Sequence, residues 1–146
     1  MANSAQLRQL LATKTSFTQA LQRYFNAPIH ATLQQQSTLF ADHDLALQLN
    51  IAPRTACWRR EVILSTPEKN VARAVSYIPV VQLTGPARRI RYLGDHPLMR
   101  VLFKHPCWQR KTLHIDFSSQ THRWQRVSTF CYHHKQLLLI EQLLTT

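Results

Sequence analysis

Residues 124–143 read WQRVSTFCYHHKQLLLIEQL, and this stretch decides the fold. Two strand-like segments, 124–132 and 136–143, flank the polar sequence His133-His134-Lys135. Apolar segments of this length separated by so short a turn are typical of a β-hairpin. We therefore predict two antiparallel strands joined by a tight turn.

Further strands are predicted upstream of this hairpin. A second hairpin is predicted where the turn-forming sequence Thr66-Pro67-Glu68-Lys69-Asn70 separates two strand-like segments. Residues 29–40 read as extended, and the polar run Gln34-Gln35-Gln36 within them favours a solvated or edge strand. The other strand-like segments are 58–65, 71–81 and 112–117.

Helices are predicted from capping residues and from the spacing of apolar residues. Thr15-Ser16 offers an N-cap for one helix, and Asn26-Ala27-Pro28 ends it. Two shorter helical segments are predicted to begin at Gly85-Pro86 and at Asp95-His96-Pro97. Residues 41–56 read as a connecting segment.

The order of these elements predicts the fold class. One helix is followed by strands that pair in hairpins around two short helices, which is typical of an α+β fold with a largely antiparallel sheet. The chain has 146 residues, two glycines, and no internal repeat or low-complexity tract. We therefore expect a single domain over residues 1–146, with short helices covering the sheet.

The charge balance is the unusual feature of the composition. Eighteen Lys and Arg against seven Asp and Glu give a formal net charge of +11. Such an excess attracts anions and speeds their capture. A nucleic acid, a membrane surface and a small polyanionic substrate are all compatible with it.

Cysteine spacing and apolar runs predict the compartment. Cys57, Cys107 and Cys131 are widely spaced and odd in number, which suits free thiols in a reducing compartment. No apolar run approaches the roughly 18 residues needed to cross a bilayer, and the N-terminus lacks a secretory signal. We expect a cytoplasmic protein without a membrane partner.

The usual sequence motifs for metal, nucleotide and acyl-transfer chemistry are absent. The eight histidines show no HExxH pattern and no paired Cys/His spacing. Two glycines cannot build a P-loop or a dinucleotide-binding fingerprint, and the serines lack a nucleophile elbow. We therefore expect no metal site and no nucleotide cofactor.

Glu141 is a charged residue inside a strand that is otherwise apolar. Strand alternation places it on the same face as Leu137, Leu139 and Leu143. On a buried face its carboxyl pKa would rise unless a partner compensates, and it could then exchange a proton with a ligand hydroxyl near neutral pH. A solvent-facing position and a structural ion pair are the open alternatives.

Arg60 is the second such residue. Alternation places it with Trp58, Val62 and Leu64. A buried arginine can bind a carboxylate with its planar fork, whereas the alternative is an arginine that extends outward to solvent. Together, one fixed cation and one carboxylate in apolar strands predict a small pocket for an anion that also carries a hydroxyl.

Five fragments occur in order along nearly the whole chain: SFT at 16–18, WRREVIL at 58–64, PVVQLTG at 79–85, LGDHPLMRVLF at 93–103 and LLLIE at 137–141. In sequence and spacing they resemble the chorismate lyase family, whose members make 4-hydroxybenzoate for ubiquinone. The resemblance implies a chorismate lyase-like fold and the cleavage of chorismate to 4-hydroxybenzoate and pyruvate without a cofactor. It also implies a monomer whose partner is its small-molecule substrate.

The resemblance also assigns roles to residues. It implies that Arg60 and Glu141 are catalytic and bind the substrate, Arg60 at the ligand carboxylate and Glu141 at the ring hydroxyl. It places the backbone of Leu98 at the carboxylate end of the pocket. Phe17 corresponds to a substrate-binding position on a covering flap, often methionine in the family, and Ala74-Val75 stands where a better-studied member has Gly-Arg.

Two other functions are compatible with parts of the sequence. The same fold family includes effector-binding domains of transcription regulators, which carry a helix-turn-helix module ahead of the ligand domain; the 15 residues before Ser16 are too few for one. A stand-alone sensor of aromatic carboxylates is therefore the alternative function. Nucleic-acid binding would rest on charge alone, and we expect none, because the densest basic group, Arg88, Arg89 and Arg91, reads as a solvated helix face.

Overall fold

A six-stranded antiparallel sheet forms the centre of the molecule in the computed structural model, which describes residues 4–14, 16–96, 98, 102 and 108–144. The strands lie in the order β1-β2-β3-β6-β5-β4 across the sheet, and every neighbouring pair is antiparallel. The strands are β1 His30–Phe40, β2 Ala56–Ser65, β3 Asn70–Pro79, β4 Gln109–Ser118, β5 Arg123–Tyr132 and β6 Lys135–Leu143.

Helices cover both faces of this sheet. In the described residues the α-helices are α1 Ser4–Leu11, α2 Phe17–Phe25 and α3 His43–Leu49, and 3-10 segments span Val80–Gln82 and Gly85–Tyr92. The predicted α+β class with a largely antiparallel sheet is confirmed. None of the helices in the described part of the chain has the length and apolar character needed to span a bilayer.

The terminal hairpin has the predicted tight turn. Tyr132 pairs with Lys135, so two residues, His133 and His134, connect β5 to β6. His133 has a positive φ of 54°, a turn conformation. This register has a further consequence: counting back along both strands places Arg126 directly opposite Glu141.

Two more sequence predictions are confirmed at the start of the chain. Helix α2 has Ser16 as its N-cap, whose side chain accepts a hydrogen bond from the Gln19 amide, and it ends at the left-handed Asn26. Strand β1 lies at the edge of the sheet, as its polar run predicted.

The prediction of a plain connecting segment over 41–56 is wrong, because this region contains α3. The polar residues that resemble a loop are the caps of a short helix. Asp42 Oδ1 accepts a 2.8 Å hydrogen bond from the Leu45 amide, and Asn50 adopts a left-handed φ of 55°. The N-terminal helix α1 was also not predicted. The helix expected at Asp95-His96-Pro97 lies largely outside the described residues.

The side chains of β6 divide the apolar interior into two sides. Leu138 and Ile140 contact the cluster under α3. On the opposite face, Leu143 belongs to a cluster formed with α1 and α2, whereas Leu137 and Leu139 belong to one beneath the 3-10 segments. Glu141 lies between Leu139 and Leu143 on this second face, where the two clusters meet.

Candidate active site

A small cavity opens between these two clusters, and its lining includes Arg60 and Glu141. Both side chains are buried, with Arg60 3% and Glu141 4% exposed, so the solvent-facing alternatives are wrong for both. Strand β3 lies between β2 and β6 and brings Arg60 and Glu141 together. Ser76 of β3 pairs with Arg60, and Ala74, two residues earlier on the same strand, pairs with Glu141. The lining residues are Thr18, Ala31, Arg60, Val62, Leu64, Ala74, Ser76, Leu98, Leu139 and Glu141.

The cavity is small, with a volume of about 40 Å³. For comparison, an engineered apolar cavity of about 150 Å³ binds benzene. A ring-sized ligand therefore requires its walls to move apart. Most of the lining is on strands of the sheet, and Thr18 of α2 and Leu98 are the lining residues outside it.

Arg60 is fixed by the chain segment that follows the second 3-10 segment. Its Nη2 donates to the carbonyl oxygens of Gly94 and His96 at 2.8 and 2.7 Å. Its buried Nε has no hydrogen-bond partner among the described residues, so this N–H is available to a ligand. Burial lowers the pKa of Arg60 and the nearby Asp95 charge opposes this shift; the guanidinium stays a cation at neutral pH.

Asp95 holds this same segment against the sheet. Its Oδ1 accepts a 2.9 Å hydrogen bond from the Leu33 amide of β1, beside an irregularity in the β1–β2 register between Leu33 and Gln35. Gly94 has a φ of +57°, a left-handed conformation that glycine adopts readily. The segment is thus fastened to β1 by a carboxylate and to β2 by Arg60.

Glu141 forms a buried ion pair. Its Oε1 accepts a 2.8 Å hydrogen bond from Nε of Arg126, the residue opposite it on β5. Burial raises the pKa of Glu141, while the charge and hydrogen bond of Arg126 and the charge of Arg110 act in the opposite direction. The predicted rise in pKa and the alternative of an ion pair are therefore both present.

Arg126 is the site residue that sequence reasoning missed. Its side chain is completely buried, its Nη1 donates to the carbonyls of Leu11 and Thr13, and its guanidinium carbon lies 5.2 Å from the centre of the Phe17 ring. The signal was available, because a two-residue turn after Tyr132 fixes the register that sets Arg126 against Glu141.

The predicted site residues are thus partly brought together. Arg60, Leu98 and Glu141 line one cavity. Phe17 is buried at the start of α2 but is not among the lining residues, and its neighbour Thr18 is. Phe17 instead contacts Arg126, the residue that forms the ion pair with Glu141. Ala74 lines the cavity beside Glu141.

The other side chains considered are those that could coordinate a metal ion and the cysteine thiols. Within the part of the chain that the structure describes, no group of three His, Cys, Asp or Glu side chains is arranged to hold a metal ion. Cys57 is a buried free thiol whose pKa is raised by burial, and Cys131 is a half-buried free thiol. Cys107 lies outside the described residues.

The cavity therefore combines a fixed cation, a buried carboxylate and apolar walls. Arg60 can bind an anionic group through its free N–H. Glu141 can accept a hydrogen bond from a hydroxyl. Val62, Leu64 and Leu139 supply apolar surface against which a ring can lie.

Solved structures of other proteins share the fold. The effector domain of PhnF from Mycobacterium smegmatis has a TM-score of 0.61 and 15% sequence identity, and the match covers 88% of this chain and 87% of that one. A transcriptional regulator of the GntR family from Bacillus cereus has a TM-score of 0.57 and 8% identity, over 80% of this chain and 91% of that one. At such low identity the likeness concerns the fold alone.

Sequence comparison gives the family. A probable chorismate pyruvate-lyase from Marinobacter nauticus is 37% identical over 106 residues, and one from Halorhodospira halophila is 30% identical over 109 residues. These alignments cover 73% and 75% of this chain but 56% and 57% of the two relatives, so the chain spans little more than half of their length. The family model described as chorismate lyase matches residues 1–146, and the protein therefore belongs to the chorismate lyase family.

Proposed function

We propose that the protein is a chorismate pyruvate-lyase, which cleaves chorismate to 4-hydroxybenzoate and pyruvate without a cofactor. The single observation that carries the proposal is the presence of Arg60 and Glu141 in the lining of one cavity with apolar walls. Chorismate carries a ring carboxylate and a ring hydroxyl, which are the two groups that this pair can bind. Family membership supports the same reaction.

The chemistry asks little of the protein beyond orientation and control of charge. The ether bond to the enolpyruvyl group breaks, and hydrogen leaves the ring carbon that bears the hydroxyl. The ring becomes aromatic, and the enolpyruvyl fragment gains a proton at its methylene carbon to become pyruvate. Because aromatisation drives the cleavage, fixing the substrate in a reactive geometry is the main task of the site.

The four predicted site residues have the following roles in this proposal. Arg60 binds the ring carboxylate, with the backbone of Leu98 at the same end of the cavity. Glu141 accepts a hydrogen bond from the ring hydroxyl and assists proton movement during the elimination. Phe17 belongs to the apolar cover at the start of α2. The excess of positive charge attracts the substrate, which is a dianion.

The setting of the enzyme is part of the proposal. We propose a single chorismate lyase-like domain over residues 1–146 that acts as a monomer in the cytoplasm. Its partner is the small-molecule substrate rather than nucleic acid or membrane, and its product is used for ubiquinone. The wide spacing of the cysteines, and the free thiols of Cys57 and Cys131, support a reducing compartment.

The direct test is to mix the purified protein with chorismate and measure both products. We expect 4-hydroxybenzoate, followed by its absorbance, and pyruvate, followed with a coupled dehydrogenase, to form in equal amounts. Tight binding of 4-hydroxybenzoate with no turnover would overturn the enzyme in favour of an aromatic-carboxylate sensor. An absence of both turnover and binding would overturn both functions.

A further inference from the structure

The hydrogen bonds of Glu141 are asymmetric. Oε1 accepts from Arg126 Nε at 2.8 Å, and among the described residues no hydrogen bond is made to Oε2. Glu141 also lines the cavity, so its carboxylate has one oxygen held by the protein and one left for a ligand. Such a carboxylate can be oriented only if the group that holds Oε1 is itself immobile.

Arg126 meets this requirement because it is bound on several sides. Its Nη1 donates to the carbonyls of Leu11, at 3.1 Å, and Thr13, at 2.7 Å, and the ring of Phe17 lies beside its guanidinium. Leu11 is the last residue of α1, where a helix carries partial negative charge that favours a cation. The segment between α1 and α2 therefore fixes Arg126, and Arg126 fixes Glu141.

We propose that Arg126 is the positioning residue of the site, which holds Oε1 of Glu141 so that Oε2 meets the ring hydroxyl of the ligand. This inference rests on the proposed function and adds to it a residue that does not line the cavity. It also gives a role to the segment from Leu11 to Thr13, which supports the site through Arg126 without contact with the ligand.

The charges around Glu141 give this role a measurable pH dependence. Among the described residues, the charged groups around Glu141 are Arg126 of β5, Arg110 of β4 and, in the lining of the same cavity, Arg60 of β2, whereas Ala74 of β3 and Thr18 of α2 are uncharged. Burial raises the pKa of Glu141, and Arg126 opposes that rise. Without Arg126 the carboxylate protonates at a higher pH, so the acid limb of kcat/KM moves to higher pH.

The positioning of Glu141 can be measured with 4-hydroxybenzoate and benzoate, two aromatic carboxylates that differ only in the hydroxyl. We would compare the affinities for 4-hydroxybenzoate and for benzoate, by calorimetry, in the wild type and in Arg126→Met. A hydrogen bond to a charged group corresponds to about tenfold or more in affinity, so we expect the preference for 4-hydroxybenzoate to fall by about tenfold in Arg126→Met. If Arg126 only stabilised the fold, Arg126→Met would lower the affinity for both ligands by the same factor.

Arg123→Met is the matched control. Arg123 is on the same strand, and its Nη1 donates to the Leu144 carbonyl at 2.6 Å. This variant also loses a bond between arginine and a backbone carbonyl, and it leaves the pair of Arg126 and Glu141 intact. We expect it to keep both the ligand preference and the acid limb of the wild type.

The outcomes separate this inference from the proposed function. If the wild type turns over chorismate and Arg126→Met keeps the ligand preference and the pH profile, Arg126 is not a positioning residue. If Arg126→Met does not fold, Arg126→Lys replaces it: we expect its preference to fall by about threefold, because an ammonium lacks the fork that reaches Glu141 and two carbonyls together. An unchanged preference in Arg126→Lys would also overturn the inference, whereas a wild type without turnover or binding would overturn the function itself.

Discussion

Arg59 and Arg60 are adjacent in the chain, and their guanidinium groups lie on opposite faces of β2. Arg59 donates to Glu61 at 2.7 Å and to the Tyr77 hydroxyl at 3.3 Å, in a partly exposed network. Arg60 points into the cavity and is held by two backbone carbonyls. Strand β2 therefore carries two neighbouring arginines in different environments, and of these two Arg60 lines the cavity.

The first prediction compares these two arginines. We expect Arg60→Met to raise KM for chorismate and to weaken 4-hydroxybenzoate binding by about tenfold to a hundredfold, because a charge-assisted bond to the carboxylate is lost. Arg59→Met should stay close to the wild type in both. Steady-state kinetics and calorimetry measure the two quantities. Equal losses in the two variants would mean that Arg60 does not bind the carboxylate.

The second prediction concerns Glu141 and pH. Burial raises the pKa of its carboxyl, and the ionised form is the one that accepts the ring hydroxyl. Activity should therefore be present above this raised pKa and be lost as the pH falls through it, at a higher pH than for an ordinary glutamate. Glu141→Gln should remove this acid limb and lower kcat. A pH profile of kcat/KM with an unchanged acid limb in Glu141→Gln would assign the limb to another group.

The hairpins were predictable from the sequence because they depend on local patterns. The two-residue turn after Tyr132 and the polar turn before Asn70 fix antiparallel neighbours without knowledge of the rest of the chain. The pairing of β3 with β6 is different, since it joins strands that are distant in sequence. No local pattern specifies that pairing, and it is the one that brings Arg60 and Glu141 to the same cavity.

The missed elements also have physical reasons. Helix α3 is seven residues long, and its caps, Asp42 and Asn50, are the polar residues that also mark loops. Alternation identified the buried faces that contain Arg60 and Glu141. It could not show that Arg60 is bound by the carbonyls of Gly94 and His96, because that contact depends on tertiary packing.

The third prediction tests the cap of α3. Asp42→Ala removes the side-chain acceptor for the Leu45 amide, so we expect the free energy of unfolding to fall by about 1 kcal/mol. Asp44→Ala, in the first turn of the same helix, is the control and should change it by less than about 0.5 kcal/mol. Urea denaturation gives both values. Helix α3 covers the face of the sheet away from the cavity, so we expect Asp42→Ala to keep its affinity for 4-hydroxybenzoate. A loss of that affinity would show that α3 and the cavity are not independent.

The last prediction uses the two glycines. Gly94 and Gly85 both have positive φ, +57° and +59°. Among the described residues, an added Cβ would meet no atom within 4 Å at Gly94 and only the Lys135 Nζ, at 3.9 Å, at Gly85. Alanine at either position should therefore destabilise the fold by about 1 kcal/mol through backbone strain alone. The two variants should have similar melting temperatures.

Ligand binding should nevertheless separate these two variants. The Gly94 carbonyl accepts from Arg60, so strain there disturbs the residue that binds the ligand carboxylate, whereas no such bond involves Gly85 among the described contacts of Arg60. We expect Gly94→Ala to weaken both 4-hydroxybenzoate and benzoate, because both carry the carboxylate. Gly94→Asn should restore much of the affinity, since asparagine tolerates the left-handed conformation. If Gly85→Ala weakened binding as much as Gly94→Ala does, the support of Arg60 by the Gly94 carbonyl would not matter for binding.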